Sequence, residues 1–142
     1  MYPRTVFELM KNKWPRLGFE LQEDTKERLV FTTNFAAQKY FDDSVFTTVI
    51  VYDNACYHVF FTFDKINPTP EVLTLVNEFN INNPFLKATI EPKNGINFLV
   101  LHYGCINGNN EYSITEDISE LLNSLINTDV LKFLVPLTEI TQ

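Results

Sequence analysis

Four residues of the kinds that ligate metals or act as nucleophiles stand in this chain as two close pairs, Cys56 with His58 and His102 with Cys105. Thiolate and imidazole ligands suit tetrahedral zinc, and a Cys–His pair can also hold an activated nucleophile. The spacing supports neither use. A Cys-x-His pair on a strand is not the tight knuckle of structural zinc sites, and no third residue that would orient the imidazole can be picked out. The plain reading is two thiols serving as small hydrophobes and two hydrogen-bonded sheet histidines. No catalytic, cofactor-binding or metal-ligating residue is assigned.

Carboxylates cluster as Glu23 with Asp24, Asp42 with Asp43, and Glu116 with Asp117 and Glu120. The last group suits the first turns of a helix, where negative charge meets the positive end of the helix dipole. None shows the opposed placement that paired acid–base carboxylates need. The Gly- and Asn-rich stretch 104–111 lacks the strand–loop–helix glycine spacing that cradles phosphate. Together these residues read as a non-enzymatic protein with no cofactor.

At 142 residues, with 45% hydrophobic and 14% aromatic content, the chain can form one domain over residues 1–142. Such a domain buries roughly two-thirds of its unfolded surface without help from metal or disulfide. A net charge of −7 disfavours nucleic acid and anionic membranes as partners. Two cysteines make no disulfide framework, and no leader-like or membrane-spanning run stands out, so a cytoplasmic setting with reduced thiols is expected.

Apolar residues Val6, Phe7, Leu9, Met10 and Trp14 recur at helical spacing between Pro3 and Pro15. Leu17, Phe19 and Leu21 alternate with polar residues, and the alternation resumes at Leu29, Phe31 and Thr33, predicting a hairpin. Residues 34–43 read as a long connection, with an irregular strand extension as an alternative. The runs 45–52 and 56–63, rich in β-branched and aromatic residues, form a second hairpin about Asp53-Asn54-Ala55.

Thr69 and Pro70 predict the cap and first position of a second helix, whose buried stripe is Val72, Leu73, Leu75, Val76 and Phe79. Strands at 86–91 and 96–103 flank the turn Pro92-Lys93-Asn94-Gly95. A third helix is expected to start at Thr115, with a helical restart after Thr128 that Pro136 interrupts. The order α-β-β-β-β-α-β-β-α predicts an α+β fold, an antiparallel sheet with helices packed on it.

In the second hairpin and the last strand, both side-chain sets are apolar. Phe46, Ile50, Tyr52 and Phe60 fall opposite the set carrying Val49, Val51 and Val59, and Phe98 stands in the last strand. Three modest helices cover one face, so these five residues are candidate interface positions for a second copy or a polypeptide partner. The alternative is cover from within, by the connection 34–44 or the last helix.

The segment Leu75-Val76-Asn77-Glu78-Phe79-Asn80, continued by Asn83-Pro84-Phe85-Leu86-Lys87-Ala88, resembles the YbjN family of bacterial sensory transduction regulators. That resemblance covers most of the chain and implies a fold like that of type III secretion chaperones. It implies a regulatory or chaperone-like, protein-binding role in a bacterial cytoplasm, as a dimer. It carries no catalytic residues, and Asn77 and Asn80 are expected to steer the chain at the helix end. An inhibitor or accessory protein with an acidic target-binding surface is the runner-up, followed by an enzyme whose residues meet only on folding.

Overall fold

A computed structural model describes residues 1–36, 44–126, 133, 134, 136 and 137. The chain forms α1 (Pro3–Lys13), β1 (Glu20–Asp24), β2 (Arg28–Ala36), β3 (Ser44–Tyr52), β4 (Tyr57–Lys65), α2 (Pro70–Asn82), β5 (Lys87–Lys93), β6 (Ile96–Cys105) and α3 (Glu111–Ile126). This is the expected order. The six strands make one sheet, β1-β2-β3-β4-β6-β5, and every neighbouring pair is antiparallel.

The sheet order departs from the chain order at one place. After β4, helix α2 carries the chain across to β5 at the edge, and the β5–β6 hairpin returns β6 to pair with β4. That hairpin turns at Asn94 (φ 53°) and Gly95 (φ 79°), the left-handed pair that an Asn-Gly turn requires.

Period-two alternation puts Leu29, Phe31, Val49, Val51, Tyr57, Val59 and Phe61 on one face, and all are buried. Against them pack Val6, Phe7 and Met10 of α1, Val72, Val76 and Phe79 of α2, and Ile118, Leu122 and Leu125 of α3. Each such side chain contributes about 1.5–3 kcal/mol on full burial, which is why the helices sit on this face. The Phe7 and Phe31 rings meet at 5.4 Å, tying α1 to β2.

Helix α1 is joined to α3 by the Lys13–Glu116 ion pair at 2.7 Å and by Trp14 Nε1 donating to Ser119 Oγ at 3.1 Å. In α2 the Thr69 hydroxyl accepts from Val72 N at 3.3 Å with Pro70 at the first helical position, as the sequence indicates. Leu73 is a departure, since it lies half exposed to solvent instead of in the buried stripe. The stripe of α2 is narrower than its apolar content suggests.

Helix α3 begins one turn before the expected Thr115. Asn110 Oδ1 accepts from Ser113 N at 2.9 Å, so asparagine provides the cap, while Thr115 is buried inside the helix and donates to Glu111 O. β2 continues to Ala36, and the rest of the expected connection, residues 37–43, lies outside the described residues. So does most of the restart after Thr128. Phe133, Leu134, Pro136 and Leu137 have helical backbone, and the stretch beyond Leu137, where Pro136 is expected to interrupt the helix, lies outside the described residues.

Candidate functional site

Among the described residues the helices occupy one face of the sheet, and the other face, which no described element covers, carries the second apolar set. On β3 this set is Phe46, Thr48, Ile50 and Tyr52; on β4 it is His58, Phe60 and Thr62; on β6 it is Phe98, Val100, His102 and Gly104. Phe46 is 43% exposed, while Ile50, Tyr52, Phe60 and Phe98 are half-buried. All five candidate interface residues therefore fall on one face. Val100 is the exception there, buried between its cross-strand neighbours Thr62 and Thr89.

At the centre of this face four rings meet. Phe60 and His102, directly opposite one another, lie 4.4 Å apart and nearly parallel at 7°. His58 stacks on His102 at 5.2 Å, and Tyr52 meets His58 edge-on at 6.2 Å. His58 Nδ1 and His102 Nε2 are 3.0 Å apart, a hydrogen bond in which one imidazole donates and the other accepts. Burial, then the nearby charge of His58, holds His102 below the ordinary histidine value of 6.5.

Pleating divides the four candidate ligands. Cys56, His58 and His102 share the uncovered face, with Cys56 Sγ 3.9 Å from His58 Nε2. Cys105 is the register partner of Tyr57 and packs against the core on the opposite face. Cys56 and His102 approach different nitrogens of His58, so the three do not converge on a point. Among the described residues no group of three or more such side chains could hold a metal ion.

On this face no Asp, Glu, Lys or Arg falls on β3 from Phe46 to Tyr52, on β4 from His58 to Thr62 or on β6 from Phe98 to Gly104, in a chain with 29 formal charges, 18 acidic plus 11 basic, and Lys65 stands opposite Phe98 at the end of β4. Charges stand at the margins instead, as in the Arg28–Glu23 ion pair at 2.6 Å. The result is an aromatic and hydroxyl-bearing surface with two titratable imidazoles in its middle.

A second feature lies on the helical side. Between α2 and α3 runs a groove of about 910 Å³, lined by Leu75, Phe79, Phe85, Tyr103 and Leu121 together with Glu78, Asp117 and Glu120. Beneath it, the fully buried Tyr57 donates its hydroxyl to Asp117 Oδ2 at 2.7 Å. Burial and the Asp117 carboxylate push the Tyr57 phenol well above its ordinary range.

The segment that carries the YbjN resemblance has a structural task here. Asn80 receives Ala88 N at 2.6 Å and donates to Ala88 O at 2.9 Å, clamping the end of α2 to the start of β5. Asn83 Oδ1 accepts from Phe85 N and Leu86 N, forming the turn between them. The groove itself escaped the sequence reading, because α2 and α3 are brought side by side only by the crossover. The repeated spacing of acidic and apolar residues on both helices was the available signal.

No family model, no curated protein and no solved structure matches the chain. No helix among the described residues is long and apolar enough to cross a membrane.

Proposed function

We propose that this chain is a non-enzymatic protein-binding protein that pairs with a second copy of itself through the uncovered sheet face. The observation that carries the reading is the placement of Phe46, Ile50, Tyr52, Phe60 and Phe98 on one face whose centre, around His58, Phe60 and His102, bears no Asp, Glu, Lys or Arg on β3, β4 or β6. Copies carrying −7 each repel over most approaches, and a surface with no carboxylate at its centre is where that repulsion is least. Six strands spaced about 4.8 Å apart and about 26 Å long make a face on the order of 700 Å², near the ~800 Å² each partner gives a standard interface. A regulatory or chaperone-like role in a bacterial cytoplasm is the wider setting we propose.

Replacing the exposed Phe46 with Asp places a charge at this face without touching the buried core. Light scattering on the native chain and on Phe46→Asp, with circular dichroism to show that the variant is folded, tests the reading. A native dimer and a folded monomeric variant are expected. A native monomer, or a variant dimer as tight as the native one, overturns it.

A further inference from the structure

Cys56, His58 and His102 do not converge as metal ligands, yet they stand in line. Cys56 Sγ lies 3.9 Å from His58 Nε2, and His58 Nδ1 lies 3.0 Å from His102 Nε2. That order is a thiol, a base beside it, and a third group that orients the base through its other nitrogen. One tautomer assignment satisfies both contacts. His102, held below 6.5 by burial and then by His58, is neutral near neutral pH, and with its proton on Nδ1 it accepts from His58 Nδ1–H. The His58 Nε2 lone pair is then the one that faces the thiol. Position 104 leaves room for the two rings, since a Cβ there would stand 2.9 Å from His58 Nδ1 and 3.4 Å from His102 Nε2. The β3–β4 turn fixes the thiol's own backbone: Cys56 N donates to Asn54 Oδ1 at 3.1 Å, and Cys56 O accepts from Tyr52 N at 2.8 Å.

We propose that Cys56 is a modification site whose thiol accepts an acyl group from a neutral, apolar thioester, with His58 as its base and His102 as the positioning residue. As Sγ attacks the acyl carbon, the S–H proton passes to His58 Nε2. The new carbon–sulfur bond forms, the donor's carbon–sulfur bond breaks, and His58 returns the proton to the departing thiolate. Thiol–imidazole contacts of this kind are often long before the substrate arrives and tighten in the complex. The surroundings select the donor. Tyr52 and Phe60 flank His58 with uncharged rings, which suits an apolar acyl group and offers nothing to an anion. Cys105 packs on the opposite face, so no second thiol of the chain stands by to resolve a disulfide, and acyl transfer needs neither that thiol nor an oxidant. The N–H groups of Ala55 and Cys56 are already given to Tyr52 O and Asn54 Oδ1, so neither is left to hold an oxyanion. The reaction therefore ends at the acylated protein, in keeping with a chain that is not an enzyme.

Phenyl thioacetate is the probe, and acetylation of Cys56 is followed over time by peptide mass spectrometry. Cys56 of the folded chain should react at least about tenfold faster than Cys56 of the chain unfolded in urea. His58→Gln should remove that advantage. His102→Leu should remove most of it, and His102→Gln, whose amide oxygen can accept from His58 Nδ1–H, should restore part of it, a rescue that a merely structural role would not give. Circular dichroism shows that each variant is folded. The series is run in the Phe46→Asp background as well, where a second copy on the sheet face cannot cover the thiol, and the same order of rates is expected. In that background, a folded chain no faster than the unfolded one, an undiminished rate in His58→Gln, or His102→Gln as slow as His102→Leu overturns the assignment.

Discussion

His58 and His102, 44 positions apart in sequence, touch nitrogen to nitrogen at 3.0 Å because β6 lies beside β4 and Gly104 faces His58 across the ladder. A Cβ at position 104 would sit 2.9 Å from His58 Nδ1. Gly104→Ala should therefore push the His58 ring off His102 at a cost of about 1 kcal/mol, within the range for overpacking. Histidine NMR spectra of the variant should show altered imidazole shifts for both residues, with the rest of the fold unchanged.

Acid should weaken the uncovered face as an interface. His102 is held below 6.5 by burial and by His58, so the native state disfavours its proton. The unfolded chain then binds more protons, and stability is full above 6.5 and lost as pH falls from there through the lowered native value. His58 and Phe60 stack on the ring, Lys87 is its partner on β5, and the Glu91 carboxylate acts in the opposite sense. An imidazolium at His102 would also place a charge at the centre of the face. Self-association measured from pH 7.5 to 5.5 should decline, and His102→Gln should flatten the decline.

Tyr57 should be silent in an alkaline titration. Its phenol is fully buried and donates to Asp117, so it keeps its proton through the range near 10 where exposed tyrosines ionise. Raising a native acid's value makes the contribution complete below pH 10 and lost above it. Tyr57→Phe should leave the ultraviolet titration amplitude near pH 10 unchanged. It should lower stability in urea by about 1.5–3 kcal/mol, the worth of a hydrogen bond to a charged group.

Thr47 is fully buried between its register partners Thr33 and Phe61, and its hydroxyl has no hydrogen-bond partner among the described residues. Burying an unpaired hydroxyl costs free energy that a methyl of similar shape avoids. Thr47→Val should raise stability by about 1 kcal/mol, read as a higher urea midpoint with an unchanged slope.

The strands and α2 were legible in the sequence because their signals are local. Alternation at Val49-Ile50-Val51-Tyr52 and the Thr69-Pro70 start need no knowledge of distant residues. Helix α3 was read one turn late because Asn109 and Asn110 look like loop, whereas Asn110 is the cap and exchanges hydrogen bonds with Ser113. The shared face of the five candidate positions was legible as a second apolar set. What spacing could not show was the pairing of β4 with β6, which joins His58 to His102 and sends Cys105 to the other side. Long-range pairing is a property of topology, and it decided which of the chemistry-bearing residues met.

The central claim is that the uncovered face is a self-interface, and sedimentation of the native chain at pH 7.5 over a concentration series tests it most directly. A species of twice 16.5 kDa that dissociates on dilution, and that Phe46→Asp holds at 16.5 kDa, is predicted. A native chain that stays at 16.5 kDa across the series would contradict it.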